Sequence, residues 1–324
     1  MKIRLLATDS KIPNYAIMKI SAYHKDKGDD VDWYSPIEDI YDTDILYISK
    51  IFTFSPDPTK TMPMPINAII NKGGTGYDIY SKLPDEIENC GKLDYSIYPE
   101  CNYSIVFTTR GCIRKCEFCV VSKKEGLIHD IPQCNMNPNG KYIMILDNNF
   151  FASKTWRDRL EYLKSFNQPL YFNAGIDLRN LTEEMCIEKQ KCKIKQINVA
   201  WDNYKDKDVI LPKIELLCKY IVPRKILCYV LVGFENKEIV DTDVERVMTI
   251  WGFGVYPFAM GYIDFNNPNY EKSRSVKDFC RWVDNRFIFK TTKWEDYKKS
   301  SKKEIIEDNN LFMLLEEKSW NTRN

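Results

Sequence analysis

Thr109-Arg110-Gly111-Cys112-Ile113-Arg114-Lys115-Cys116-Glu117-Phe118-Cys119 carries three cysteines at C-x3-C-x2-C spacing, directly after an apolar run of strand length from Ser104 to Thr109. Three thiolates on one short loop can hold three irons of a 4Fe-4S cluster and leave the fourth iron without a protein ligand. An open metal position is where substrate chemistry takes place, by the logic that separates catalytic from structural zinc sites. Arg110, Arg114, Lys115 and the loop amides can offset the negative charge of a thiolate-bound cluster. Two other readings of the same residues stand beside this one. A zinc knuckle would take Cys134 as its nearest fourth ligand, although the loop offers one C-x2-C pair where zinc sites favour two. Three buried or unliganded thiols are the other.

Outward from the loop, apolar runs of strand length recur at Ser104 to Thr109, Tyr142 to Leu146, Leu170 to Asn173, Gln196 to Ala200, Ile226 to Val232 and Val255 to Ala259. Their starts lie 26 to 38 residues apart, close to the roughly 30 residues of a strand-helix-strand unit. Trp156, Leu160 and Leu163 at helical spacing, and Thr242 with Glu245 as a capping box, supply helix signals in the gaps. Six such units predict a parallel sheet, either an incomplete barrel or an open doubly wound sheet, with function at the carboxyl ends of the strands.

Before the loop, Ile3 to Ala7, Val31 to Tyr34, Ile45 to Ser49 and Ala68 to Ile70 read as strands. Pro13 opens a helix through Ile17 and Ile20 that Gly28 closes. Pro56, Pro58, Pro63 and Pro65 forbid regular structure between the last two strands. Behind the repeat, residues 272–303 hold eleven Lys+Arg and four Asp+Glu, with Phe279, Trp282, Phe287, Phe289, Trp294 and Tyr297 interleaved. That segment reads either as a terminal helix packing Phe279, Trp282 and Phe287 onto the sheet with lysines in solvent, or as a nucleic-acid surface. The expected domains are 1–90, small α/β; 91–265, the strand-helix repeat; and 266–324, basic, aromatic and mostly helical.

The 324 residues balance 47 Lys+Arg against 46 Asp+Glu, are 44% hydrophobic and include 11 cysteines, an odd number. This excludes a small disulfide scaffold and a basic tail protein. No apolar run reaches the roughly 18 residues of a membrane span, and Asp9 and Ser10 interrupt the first apolar run before a signal-peptide core forms. The expected setting is a reducing cytoplasm with no membrane partner, in which Cys186, Cys192, Cys218 and Cys228 are core thiols.

The loop spacing, Phe118 before the last cysteine, and the position of the loop after the first of six strands together resemble the radical S-adenosylmethionine superfamily. The resemblance implies an incomplete (β/α)6 barrel, cluster ligation by Cys112, Cys116 and Cys119, and S-adenosylmethionine on the open iron. It further implies reductive cleavage to a 5'-deoxyadenosyl radical that abstracts a substrate hydrogen atom, and an external electron donor of flavodoxin or ferredoxin type. Phe118 and the strand-end residues then become cofactor contacts. Asp147-Asn148-Asn149 stand where the family's Gly-Gly-Glu-like motif meets the methionine amine, with its glycines absent. Asn173 and Asp202 suit ribose hydroxyls, Arg179 the methionine carboxylate, and Val232-Gly233 the adenine. Each is equally well an ordinary residue at a strand end. The front domain resembles the cobalamin-binding domain of one branch of that superfamily, with Ser49 and Gly73-Gly74 where its Ser and Gly-Gly loops fall. The Asp-x-His-x-x-Gly of that domain is missing and His24 reads as a surface helix-end imidazole, which argues against cobalamin itself. The alternatives are a cobalamin-dependent radical S-adenosylmethionine methyltransferase and a non-enzymatic zinc and nucleic-acid-binding protein.

Overall fold

Ile3 and Leu5 have no exposed surface, and the strand that carries them, β1 (Lys2–Ala7), is central to a four-stranded parallel sheet. Its order is β2-β1-β3-β4, with β2 at Asp30–Trp33, β3 at Ile45–Ser49 and β4 at Ile69–Gly73. The computed structural model describes residues 1–267 and 270–298. Helix α1 (Tyr15–Asp26) begins after Asn14, whose side chain accepts from the Ile17 N–H, so Pro13 precedes the cap and does not open the helix. Gly28, at φ +79°, ends the turn as the sequence predicts. Between β3 and β4 the proline-rich stretch forms only a 3-10 turn at Pro58–Lys60.

The front core does not stop at residue 90. After the short α2 (Asp85–Glu88), Leu93, Tyr95, Ile97 and Ile105 pack with Ile3, Leu5, Ile17 and Met18 in one cluster. The Trp33 indole donates to the Ile97 carbonyl at 3.0 Å, and the Asp94 N–H donates to Met18 O at 3.1 Å. Ile105 belongs to β5 (Ser104–Val106), the first strand of a second parallel sheet.

That sheet runs β5-β8-β9-β10-β11-β12, with β8 at Ile143–Ile145, β9 at Leu170–Ile176, β10 at Ile194–Ala200, β11 at Ile226–Val232 and β12 at Tyr256–Gly261. Strand order follows chain order without a reversal, so the switch point of a doubly wound sheet is absent. Helices α4 (Trp156–Ser165), α5 (Glu183–Gln190), α6 (Lys207–Tyr220) and α7 (Asp241–Gly252) make the crossovers. The first crossover departs from this pattern. It holds the cysteine loop, a two-stranded antiparallel pair of β6 (Thr109–Arg110) and β7 (His129–Asp130), and the four-residue α3 (Val121–Lys124). The expected capping box at Thr242 and Glu245 is not formed, because the helix cap is Val240, two residues before Thr242. Asp243 accepts from the Val240 N–H, and Glu245 pairs with Lys207.

Beyond β12 come α8 (Arg274–Asp284) and α9 (Arg286–Thr291); Phe279 and Trp282 of α8, with Trp294 past the end of α9, are buried against Val230, Val232 and Ala259. Phe279 and Trp282 are buried in a core, as the packing reading expects. Phe287 departs from it, standing 76% exposed. The Asp284 carboxylate accepts from the Ala259 N–H of edge strand β12 at 2.9 Å. Residues 299–303 of the basic segment, with the rest of the expected tail to 324, lie outside the described residues.

One core position works against stability. Lys189 on α5 is fully buried, with Nζ 4.6 Å from the Phe151 ring centroid, 5.1 Å from that of Phe172, and no hydrogen-bond partner among the described residues. Burial pushes its ammonium down to about 7. The unfolded chain therefore binds more protons than the folded one between that value and the ordinary lysine range, and stability rises with pH across this window. Lys189→Met is expected to stabilise by about 1 to 4 kcal/mol at pH 7 and by less at pH 9.5, measured by urea denaturation at the two pH values.

Candidate active site

Asp147, two residues past β8, is 3% exposed, and its carboxylate accepts four hydrogen bonds. The donors are the Thr108 N–H (2.6 Å) and hydroxyl (2.5 Å) and the Thr109 N–H (2.9 Å) and hydroxyl (2.7 Å). The chain leaving β5 is thereby fixed to the end of β8 and turned into the cysteine loop. Gly111 follows at φ +78°, where a Cβ would collide with the Leu127 carbonyl oxygen. Glu125 then closes the loop on itself, accepting from the Gly111 N–H (2.9 Å), Arg110 Nη1 (3.2 Å) and Asn148 Nδ2 (2.7 Å).

The three cysteines sit on this frame, each half-buried. The Cys119 N–H donates to the Cys116 carbonyl at 3.0 Å, and the Arg114 N–H points at Cys112 Sγ at 3.4 Å. Burial pushes the Cys116 and Cys119 thiols up, with Arg179 pulling the first back and the Val121 N–H the second. Cys119 also feels the charges of both other cysteines. Among the described residues no three His, Cys, Asp or Glu side chains converge on a single metal ion. A cluster asks for a different arrangement, with one thiolate on each of three irons.

Asp177, past β9, joins the loop to the next crossover. It accepts from Arg114 Nε at 2.8 Å and Arg179 Nε at 2.7 Å, and the two guanidiniums hold it below the usual carboxylate range. Arg179 thus stands beside Cys116, a cation at the thiol. Asp202, past β10, is half-buried, and burial pushes it up to about 6 while Arg246 and Arg179 pull it back. Arg246 stitches the strand ends, donating to the carbonyls of Trp201 (2.9 Å), Asp202 (2.7 Å) and Leu231 (2.7 Å).

The other expected contacts are placed variously. Asn149 Nδ2 lies 3.7 Å from Cys112 Sγ, and its Oδ1 is a buried acceptor with no partner among the described residues. Asn148 is engaged by Glu125 and the Asp147 side chain by the two threonines. Phe118 packs edge-on to Phe234 at 5.6 Å, so the loop after the first strand reaches the end of the fifth. Val232 and Gly233 are buried, and Gly233 at φ +74° leaves the space of its absent side chain to Val276 of α8, 2.7 Å from where a Cβ would stand. Asn173 lies within β9 and not at its end, because that strand continues to Ile176 through an irregularity opposite Asn198. The Asn198 amide and the Tyr229 hydroxyl both donate to the Asn173 carbonyl, at 2.8 and 3.1 Å. Glu125, Asp177 and Arg246 were not singled out by the sequence, which gives no motif for a residue whose partners are brought near only by the fold.

In the front sheet, His24 is buried and not on the surface: Nδ1 pairs with Asp29 at 2.7 Å and Nε2 with the Tyr47 hydroxyl at 3.1 Å. Gly74 approaches the Lys50 backbone so closely that a Cβ would collide with it. Beside it, Thr75 Oγ1 accepts from Lys124 Nζ of α3 at 2.7 Å, and the Arg110 guanidinium lies 5.6 Å from the Tyr15 ring. The loop after β4 therefore touches the cysteine loop.

No protein-family model and no curated protein matches the chain. Among solved structures it is similar to the radical S-adenosylmethionine methyltransferase TsrM from Kitasatospora setae, determined with cobalamin and a 4Fe-4S cluster bound. The TM-score is 0.57 at 11% identity, over 81% of this chain and 75% of that one. At this identity the likeness is one of fold, a mixed α/β arrangement with parallel sheets. It corrects the expectation that cobalamin is improbable, since a protein of this fold carries both cobalamin and a cluster. The missing Asp-x-His-x-x-Gly bears on one cobalt ligand alone.

The Asp147 knot gives a direct test of the loop geometry. Asp147→Ala leaves two buried N–H groups and two hydroxyls without their acceptor. It is expected to destabilise by about 3 kcal/mol in urea denaturation and to quicken labelling of the loop cysteines by a thiol reagent.

Proposed function

We propose that the chain is a radical S-adenosylmethionine enzyme, with Cys112, Cys116 and Cys119 holding a 4Fe-4S cluster at the mouth of a partial barrel formed by β5 and β8 to β12. The observation that carries this reading is the set of three half-buried thiols on one loop, with Arg179 beside Cys116, at the carboxyl end of a sequentially ordered parallel sheet. This donor set fits an anionic thiolate-bound cluster: the carboxylates that brace the loop are paired, Glu125 with Arg110 and Asp177 with Arg114 and Arg179, and at Cys116 the Arg179 guanidinium opposes the charge of Asp202.

When bound, such a cluster with S-adenosylmethionine at its open iron, fed by a flavodoxin- or ferredoxin-type donor, supplies the 5'-deoxyadenosyl radical that takes a hydrogen atom from substrate. The chain's own residues bind and orient. Arg179 offers its remaining N–H groups to the methionine carboxylate, and the unpartnered Asn149 Oδ1 accepts from the amine. Asp202 accepts from ribose hydroxyls. The Phe118 and Phe234 rings, with Tyr262 4.8 Å from Phe234, keep water from the loop.

Anaerobic reconstitution with iron and sulfide tests it. The parent protein is expected to bind both and to form 5'-deoxyadenosine from S-adenosylmethionine under a strong reductant. The Cys112→Ala/Cys116→Ala/Cys119→Ala variant is expected to lose both properties, and a variant that keeps them overturns the reading.

A second reading, methyl transfer with cobalamin, is favoured by the Lys124 to Thr75 hydrogen bond, which joins the carboxyl-end loop of the front sheet to the cysteine loop. It is supported by the likeness to TsrM, a methyltransferase solved with cobalamin. Protein produced with hydroxocobalamin supplied is then expected to retain a corrinoid through gel filtration, read by visible absorbance. Loss of the corrinoid leaves the first reading alone.

A further inference from the structure

The opposite end of the six-stranded sheet holds a concave site. It has a volume of about 470 Å³ and is lined by Asn102, Lys141, Tyr142, Pro169, Ile194, Lys195 and Lys225, at the amino ends of β5, β8, β9, β10 and β11. Three lysines share this cavity and no carboxylate lines it. None of the three has an ion-pair partner among the described residues, whereas Lys164, Lys191 and Lys207 each have one. Like charges gathered without counter-ions add nothing to stability, and the amino end of a parallel sheet is otherwise a packing face.

The backbone is bent to supply one of these lysines. In the β9–β10 pairing Ile194 opposes Leu170 and Gln196 opposes Tyr171, so Lys195 is an extra residue in the ladder. A bulge of this kind re-aims a side chain, and it is rare between parallel strands. The Lys195 ammonium lies 3.2 Å from the centroid of the Tyr142 ring, whose stack on Tyr103 at 5.0 Å fixes it. Lys225 gives one N–H to the Ile194 carbonyl at 2.7 Å and keeps two for a ligand.

We propose that this cavity binds a compact polyphosphate anion, a di- or triphosphate group, which meets three point-charge donors and the Asn102 amide above the apolar floor of Pro169 and Ile194. Both faces of the Tyr142 ring are taken, which disfavours base stacking and with it a single-stranded RNA as the occupant.

Calorimetric titration of the full chain with inorganic tripolyphosphate at low salt tests the proposal. One equivalent is expected to bind, with affinity falling as salt is raised. Lys141→Gln/Lys195→Gln is expected to weaken binding by about tenfold, and addition of Lys225→Gln by about a hundredfold. Should the triple variant fail to fold, Lys195→Gln alone, at an exposed side chain, is expected to lose about fivefold. Affinity unchanged in the variants, or a single-stranded oligoribonucleotide binding more tightly than tripolyphosphate through the same lysines, overturns it. Iron content and 5'-deoxyadenosine formation are expected to stay at the parent level in these variants, so this outcome and that of the cluster test are independent.

Discussion

A single buried carboxylate, that of Asp147, holds the cysteine loop to the sheet. Its four donors come from Thr108 and Thr109, the last residues before the loop, and its own backbone continues β8, so one side chain fixes where the loop starts and which way it leaves. Everything further out builds on that origin. Glu125 folds the loop back on Gly111, and Asp177 ties Arg114 to the β9 crossover. Asp147, Glu125 and Asp177 are the carboxylates of the frame that carries the three thiols. Each is spent on N–H and O–H donors, and the outer charges that act on Cys116 are the guanidinium of Arg179, which pulls its thiol down, and the carboxylate of Asp202, which pushes it up.

The fold was legible wherever a pattern was local. The continuous apolar run from Ile226 to Val232 marks β11 at its full length, and the C-x3-C-x2-C spacing marks the loop. The misreadings concern partners distant in the chain. His24 looks like a surface residue until Tyr47 arrives over it from β3. Glu245 looks like part of a cap until Lys207 competes for it and Asp243 serves the helix end. Phe287 shares the composition of its buried neighbours but falls on the outer side of α9. For the site the same division holds. The cysteines stand in one window, while Glu125, Asp177 and Arg246 act through carbonyls, amides and guanidiniums that no short motif records.

Irregularities in the sheet coincide with its two polar ends. The break in β9 frees the Asn173 carbonyl, which the Asn198 amide and Tyr229 hydroxyl then satisfy, and the extra residue in β10 turns Lys195 towards the lysine cavity. Regular ladders would satisfy the backbone at less expense, so side chains that repair or exploit the breaks are part of what specifies this sheet. At the far edge the Asp284 carboxylate covers the Ala259 amide and keeps β12 from pairing onward.

The apolar cluster shared by β1, α1 and Ile105 also bears on how the chain matures on the ribosome. A sheet whose core awaits a residue of the next sheet cannot close when its own last strand emerges. It closes only after Tyr95, Ile97 and Ile105 have cleared the exit tunnel, with the chain advancing about 5 to 20 residues each second. The first unit to consolidate during synthesis therefore already includes the strand from which the thiol-bearing loop departs, and that loop is anchored at one end before the strands that complete its surroundings have been made.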